Sequence, residues 1–330
     1  MSEAQRLHSP SILVPYSGAD TDPNTLDVFV YLRPETNGVA VESTVMKVIK
    51  ECQHRSSDFQ LVYMANVPGG YIADRRIVER HYSLRLFFAV HGGATFSPDM
   101  REQFEEFYGV SFDSEKVIGA FDALRRFRWS PEDLFGLWVD EQAITRIAGQ
   151  VIKQYQGVWV VNYDIPALLH KNNTATDIAV MAFRTREGYP HFFELAMQMK
   201  SALVERGLLR KGMPIARAVH ISHSPFEQLL DARDYLLTGE GDPAGMESSS
   251  FAAFLMERGF SIRDVAGLVE HPICRFDFGV KAPKEQNLLD LCEGFGYEDA
   301  LHIIRRIQAQ SLFPARAATA GTPPPRVPSR

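Results

Sequence analysis

The stretch PIARAVHISHSPFEQLLDARDYLL, residues 214–237, sets the frame for reading the whole chain. Its first part, 215–221, is a short apolar run that reads as a strand and ends on His220 and Ile221. If that run is extended, Ala216, Ala218 and His220 share one face, and Arg217, Val219 and Ile221 take the other. Ser222, His223 and Ser224 follow, and Pro225 opens a helical run. A serine just before a proline marks a helix start. Its hydroxyl satisfies a free backbone N–H, and proline in the first turn has none to satisfy. Capping accounts for the serines but not for the two histidines. Histidine titrates near neutral pH and serves as base, nucleophile or ligand. At a strand end it can attack a phosphoryl group through one ring nitrogen while a partner fixes the other. A metal site built from His220, His223 and Asp231 or His271 is a competing reading, although no HExxH motif accompanies it.

Upstream, Arg206, Arg210, Lys211 and Arg217 form a basic cluster. It reads either as the solvated end of a helix over 190–206, closed by Gly207, or as an anion-binding rim. Two apolar strands are predicted before that helix, over 157–163 and 177–183. Near the start, LDVFVYL at 26–32 reads as a buried strand. It stops at Arg33, in the turn-forming loop RPETNG. Apolar residues at 41, 45, 48 and 49 predict a helix, and FQLVYMANV at 59–67 a second strand. Residues 73–82 read as helical, and 84–90 as its extension or another strand. Tyr82 and Arg85, with Phe87 and Phe88 behind them, are placed to hold a base and its phosphates, or to pack inward as a helix face.

Residues 92–156 carry apolar stripes at helical spacing, the last at 144, 147, 151 and 152. They predict an insertion of short helices. Residues 1–25 read as an irregular arm. Beyond 240, helices are predicted at 251–257 and 262–268, a strand at 273–280, and one or two helices within 285–310. The Ala/Pro/Arg-rich tail, 313–330, reads as disordered.

Bulk properties limit the function classes. Hydrophobic residues at 45% and charged residues at 23% are ordinary globular values. A net charge of −6 argues against general nucleic-acid or anionic-membrane binding. Three cysteines without a CxxC point to neither a disulfide framework nor a cysteine zinc site, and fit a reducing, cytoplasmic setting. No run resembles a signal peptide or reaches the length of a membrane span.

Taken together, these motifs resemble a divergent nucleoside diphosphate kinase. LDVFVYLRPETNG, VESTVMKVIKEC and FQLVYMANV follow the order of that family's first strand, helix and second strand. ERHYSLRLFF carries its His-Tyr pair and aromatic pair, DIAVMAFRTREG its later apolar strand, and RAVHISHS its phosphohistidine motif. The resemblance covers about 26–90 and 175–237. It implies an α+β protein with a ferredoxin-like βαββαβ core at 26–240, an antiparallel sheet with helices on one face. The insertion at 92–156 and a C-terminal α/β extension at 241–312 enlarge that core. His220 would be the phosphohistidine, with Ser222 beside it. Arg33 would stand for the clamp lysine, Tyr82 for the active-site tyrosine, and Phe87 or Phe88 for the base-stacking ring. Arg206 or Arg210 would stand for a further arginine, and Arg217 takes the place of an asparagine among the phosphate contacts. Ile221 and His223 stand where the family has glycine and aspartate. The implied ligands are ATP or another nucleoside triphosphate with Mg²⁺, and the implied assembly is a homo-oligomer. The competing readings are a catalytically inactive kinase-like scaffold and a metal-dependent hydrolase.

Overall fold

The computed structural model describes residues 9–32, 38–55, 58–140, 143–171, 177–212, 218–279 and 284–313. The protein is α+β, with antiparallel and mixed sheets, and its chain divides into two compact units. Unit one takes Met1–Ile77, Asn172–Val269 and Cys292–Arg305; unit two takes Val78–Lys171, Glu270–Leu291 and Arg306–Arg330.

In chain order, β1 (Ser11–Val14), β2 (Leu26–Leu32), α1 (Val39–Arg55) and β3 (Phe59–Val67) come first. Next are α2 (Gly69–Asp74), α3 (Ile77–His81), α4 (Ser83–His91), α5 (Pro98–Tyr108), β4 (Val117–Gly119), α6 (Ala120–Phe127) and α7 (Pro131–Gly136). The strands β5 (Ile144–Ile147), β6 (Gln150–Tyr155) and β7 (Val158–Val161) precede α8 (Ile165–Lys171). Then come β8 (Ile178–Thr185), α9 (Gly188–Glu205), β9 (Val219–Ile221), α10 (Pro225–Tyr235), α11 (Ser250–Glu257) and α12 (Ile262–Glu270). The last elements are β10 (Ile273–Phe276), β11 (Lys284–Asn287), α13 (Leu288–Leu291), α14 (Tyr297–Ile304) and β12 (Ile307–Gln310).

In unit one, five strands pair antiparallel in the order β1-β3-β8-β2-β9. All seven residues of β2 are buried, which explains why all but Asp27 are apolar: both of its faces are covered. On one face, Phe59 and Phe183 stack at 4.9 Å and meet Phe192 of α9, which packs along α1. On the other, Tyr31 meets Tyr235 of α10 at 5.0 Å, and the Asp27 carboxylate accepts from the Ser250 hydroxyl at the start of α11. The expectation of helices on a single face is thereby corrected. The arm expected to be irregular also contributes a strand. Ser11–Val14 pairs with β3 at the sheet edge, and a four-residue edge strand leaves little periodicity to read. The helix over 190–206 forms as α9 and ends at Gly207, whose φ of +69° suits a glycine.

In unit two, β4-β7-β6-β5 form a mixed sheet with β4 and β7 parallel, and β11-β10-β12 form an antiparallel one. The apolar stripe at 144–152, expected to be helical, is a hairpin of β5 and β6. Its turn residues Ala148 and Gly149 have φ of +45° and +84°, the left-handed pair that a tight hairpin needs. Residues 84–90 lie in α4. Within 285–310, where only helices were expected, β11 and β12 flank α13 and α14. Unit two is therefore wider than 92–156 and is not purely helical. It also draws on stretches assigned from sequence to the C-terminal extension. The tail expected to be disordered lies, from 314 on, outside the described residues. Among those described, no helix is long and apolar enough to cross a membrane.

Burial raises the phenols of Tyr63, Tyr189 and Tyr297 above the ordinary tyrosine value. A proton held more tightly in the folded state supports folding fully below about pH 10, and that support is lost as pH rises further. These tyrosines are expected to stay protonated, by phenolate absorbance, until the chain unfolds cooperatively in alkali. Ordinary titration near pH 10 with the fold intact, judged by circular dichroism, would contradict the buried placement.

Candidate functional site

The site is built where β9 turns into α10. β9 lies at the sheet edge beside β2, with His220 opposite Tyr31. The two rings stack with centroids 4.2 Å apart and planes 20° from parallel, and Tyr235 also meets Tyr31, with centroids 5.0 Å apart. After Ile221 the ladder continues through a side chain. Ser222 donates its N–H to the Phe29 carbonyl, and its hydroxyl accepts the Phe29 N–H at 2.8 Å. Ser224 then caps α10 by accepting from Glu227 N–H at 3.2 Å, with Pro225 in the first turn. The Glu227 carboxylate reaches back to His223 N–H at 2.7 Å, and Gly294 N–H donates to the His223 carbonyl at 2.7 Å. The junction is held rigidly from both sides.

That rigidity positions one chemical pair. Two turns into α10, fully buried Asp231 places Oδ2 3.0 Å from Nε2 of His220, whose side chain is 12% exposed. A carboxylate oxygen accepts, so Nε2 carries a proton in this bond. A histidine with one nitrogen fixed and limited solvent access is set up as a nucleophile or base. A cavity of about 380 Å³ opens in the same unit, lined by Arg186, Tyr189, Gly294, Gly296, Glu298 and Asp299. Gly294 joins its wall to the His223 turn.

The structure distributes the other sequence-predicted residues widely. Ser222 is two residues beyond His220 in the chain, but its buried hydroxyl is engaged with the β2 backbone. Arg210 is exposed just beyond α9, and Arg206 donates to the Thr44 hydroxyl at 2.6 Å. Arg33 and Arg217 lie outside the described residues. Tyr82, Phe87 and Phe88 belong to unit two. Tyr82 precedes α4, half-buried against an apolar cluster. Phe87 and Phe88 are buried in the core of that unit, packed against each other and against Phe313. Their ring faces are covered there, which does not suit stacking on a base. Among the described residues, no three His, Cys, Asp or Glu side chains gather as a metal site.

The sequence grouped Asp231 with His220 only as a metal ligand; its role as hydrogen-bond partner of the imidazole, and Tyr31 as the ring's platform, come from the structure. Asp231 follows Leu229 and Leu230 in a helix buried on most sides, where a carboxylate needs a partner. No protein-family model, curated protein or solved structure matches this chain.

Proposed function

We propose that unit one is a nucleoside diphosphate kinase-like core that binds a nucleoside di- or triphosphate and passes its terminal phosphate through His220. The strand arrangement supports this. β2-α1-β3 and β8-α9-β9 are two βαβ halves interleaved as β3-β8-β2-β9, all neighbours antiparallel, which is the order of a ferredoxin-like core. The observation that carries the reading is the His220–Asp231 pair at the end of β9. In the reaction, Nδ1 attacks the terminal phosphorus, and the bond to the bridging oxygen breaks as the diphosphate leaves. Asp231 acts as a positioning residue: it holds Nε2–H and stabilises the positive charge on the ring. The second half-reaction returns the phosphoryl group to an acceptor diphosphate. The described acidic side chains form no cage for Mg²⁺. The ion would arrive on the nucleotide phosphates, where it neutralises charge.

The test is incubation with ATP carrying ³²P at its terminal phosphate. Protein-bound label stable in alkali and lost in acid is expected, absent in His220→Ala and reduced at least about tenfold in Asp231→Asn. A second reading, an inactive scaffold of the same build, is favoured by the engaged Ser222 hydroxyl and the buried Phe87 and Phe88. Absence of label in the wild type, with no melting shift from ATP and Mg²⁺, would establish that reading in place of the first.

A further inference from the structure

Unit one holds a second constellation, away from β9. Cys52 sits in the last turn of α1, and α1 packs along α9. His191 is in the first turn of α9, and Glu187 caps that helix four residues earlier. The Cys52 Sγ lies 3.1 Å from Nε2 of His191, and Nδ1 of the same ring lies 2.8 Å from a Glu187 oxygen. Nucleophile, base and orienting carboxylate are in line and within hydrogen-bond reach. Phe59 packs against the imidazole at 5.8 Å and limits where it can turn.

We propose that Cys52 is a peroxide-reactive thiol, with His191 as its base and Glu187 as the positioning residue. Access sets the substrate class. Cys52 is buried and the His191 side chain is 23% exposed, so a small, neutral hydroperoxide can approach past the ring where a peptide or nucleotide cannot. Burial raises the thiol above its ordinary value; Arg55 opposes the rise and Glu187 adds to it. The thiol therefore stays protonated until His191 takes the proton. The sulfur then attacks one peroxide oxygen: the S–O bond forms, the O–O bond breaks, and the leaving hydroxide takes the proton from His191 to depart as water. Sulfur loses two electrons to become the sulfenic acid, and the peroxide is reduced. The other cysteines serve as internal controls. Cys274 faces the His271 carbonyl oxygen rather than a base, and burial pushes its thiol up to about 12. Cys292 is fully buried.

The experiment is a pulse of hydrogen peroxide on the reduced, full-length protein with dimedone as sulfenate trap, read by peptide mass spectrometry. Cys52 is expected to label at least about ten times faster than Cys274 and Cys292, and His191→Ala to remove most of that advantage. Glu187→Ala is expected to slow labelling several-fold. Glu187→Gln, which keeps an acceptor oxygen for Nδ1–H, should restore part of the rate. His191→Gln provides the same comparison if the alanine variant melts early. Equal labelling of the three cysteines, or labelling of Cys52 in the His191 variants as fast as in the wild type, would overturn the proposal.

Discussion

Asp27→Ala is expected to destabilise unit one by about 3–5 kcal/mol, the range for removing one partner of a buried ion pair. Asp27 is buried within the apolar strand β2, and Arg184 opposes it in register on β8. The carboxylate accepts from Arg184 Nε at 2.7 Å, Arg184 Nη2 at 2.9 Å, the Tyr16 hydroxyl at 2.6 Å and the Ser250 hydroxyl at 2.6 Å. Removing it leaves a guanidinium, only 16% exposed, with Asp20 at 4.0 Å as its remaining counter-charge, and takes the shared acceptor from two hydroxyls. The loss spreads to the N-terminal arm. Tyr16 and the Asp20 N–H both bond to Ser250, and Arg184 also donates to the Gly18 carbonyl at 2.7 Å. Urea unfolding should show the drop in midpoint, and limited proteolysis should show new cleavage between residues 9 and 24. Replacing both partners, as in Asp27→Leu with Arg184→Met, is expected to recover most of the stability, because the apolar pair has no charge to desolvate. A double variant no more stable than Asp27→Ala would show that the pair itself is not the source of the loss.

Gly119→Ala is expected to cost unit two about 3 kcal/mol or more, at the upper end of overpacking. A Cβ there would lie 2.2 Å from the Ala89 carbonyl oxygen and 2.8 Å from its carbon, both backbone atoms of α4. Gly92 approaches from the other side: a Cβ on it would lie 2.4 Å from Gly119 N, and its φ is +59°. No side chain can rotate away from either clash, so α4 and β4 must separate. Their contact draws on the cluster of Leu86, Ala89, Ala120, Phe121 and Val160. Gly109→Ala is the reference: its φ is +69° but the space around it is open, so it carries only the backbone term. Thermal unfolding of the two variants, followed by tryptophan fluorescence, makes the comparison. Equal losses would mean that the helix end and the strand are not in backbone contact.

Unit one was largely legible because its central strands are covered on both faces. LDVFVYL and DIAVMAF are apolar runs with a single acid each, bounded by turn formers, and such runs survive without an alignment. Unit two was less so. Ile144, Ile147, Val151 and Ile152 satisfy helical spacing by coincidence: in the hairpin register Ile147 and Ile152 take one face and Ile144 and Val151 the other. Ala148-Gly149 was the available clue. β12, IQAQ, is a four-residue alternation too short to read against its helical surroundings, and it is a strand because β10 offers it a ladder. In the site, His220 announced itself by residue type and by its place at a strand end. Ser224-Pro225 marked the start of the next helix but not how that helix packs on the sheet, and the packing is what brings Asp231 to the imidazole. Cys52 with His191 and Asp27 with Arg184 lie far apart in the chain and meet through helix packing and strand register. What sequence does show of the second pair is an acid and a base, each alone within an apolar run.

The interleaving of the two units bears on how the chain is made. Unit one closes only with Cys292–Arg305, and unit two draws on residues both before and after that segment. During synthesis from the N-terminus, β2 waits for β8, about 150 residues later by register, before its first neighbour exists. Neither unit is complete until most of the chain has left the ribosome. Apolar strands such as β2 therefore remain unpaired for much of translation, and slowed elongation or early truncation would leave them exposed to chaperones and aggregation.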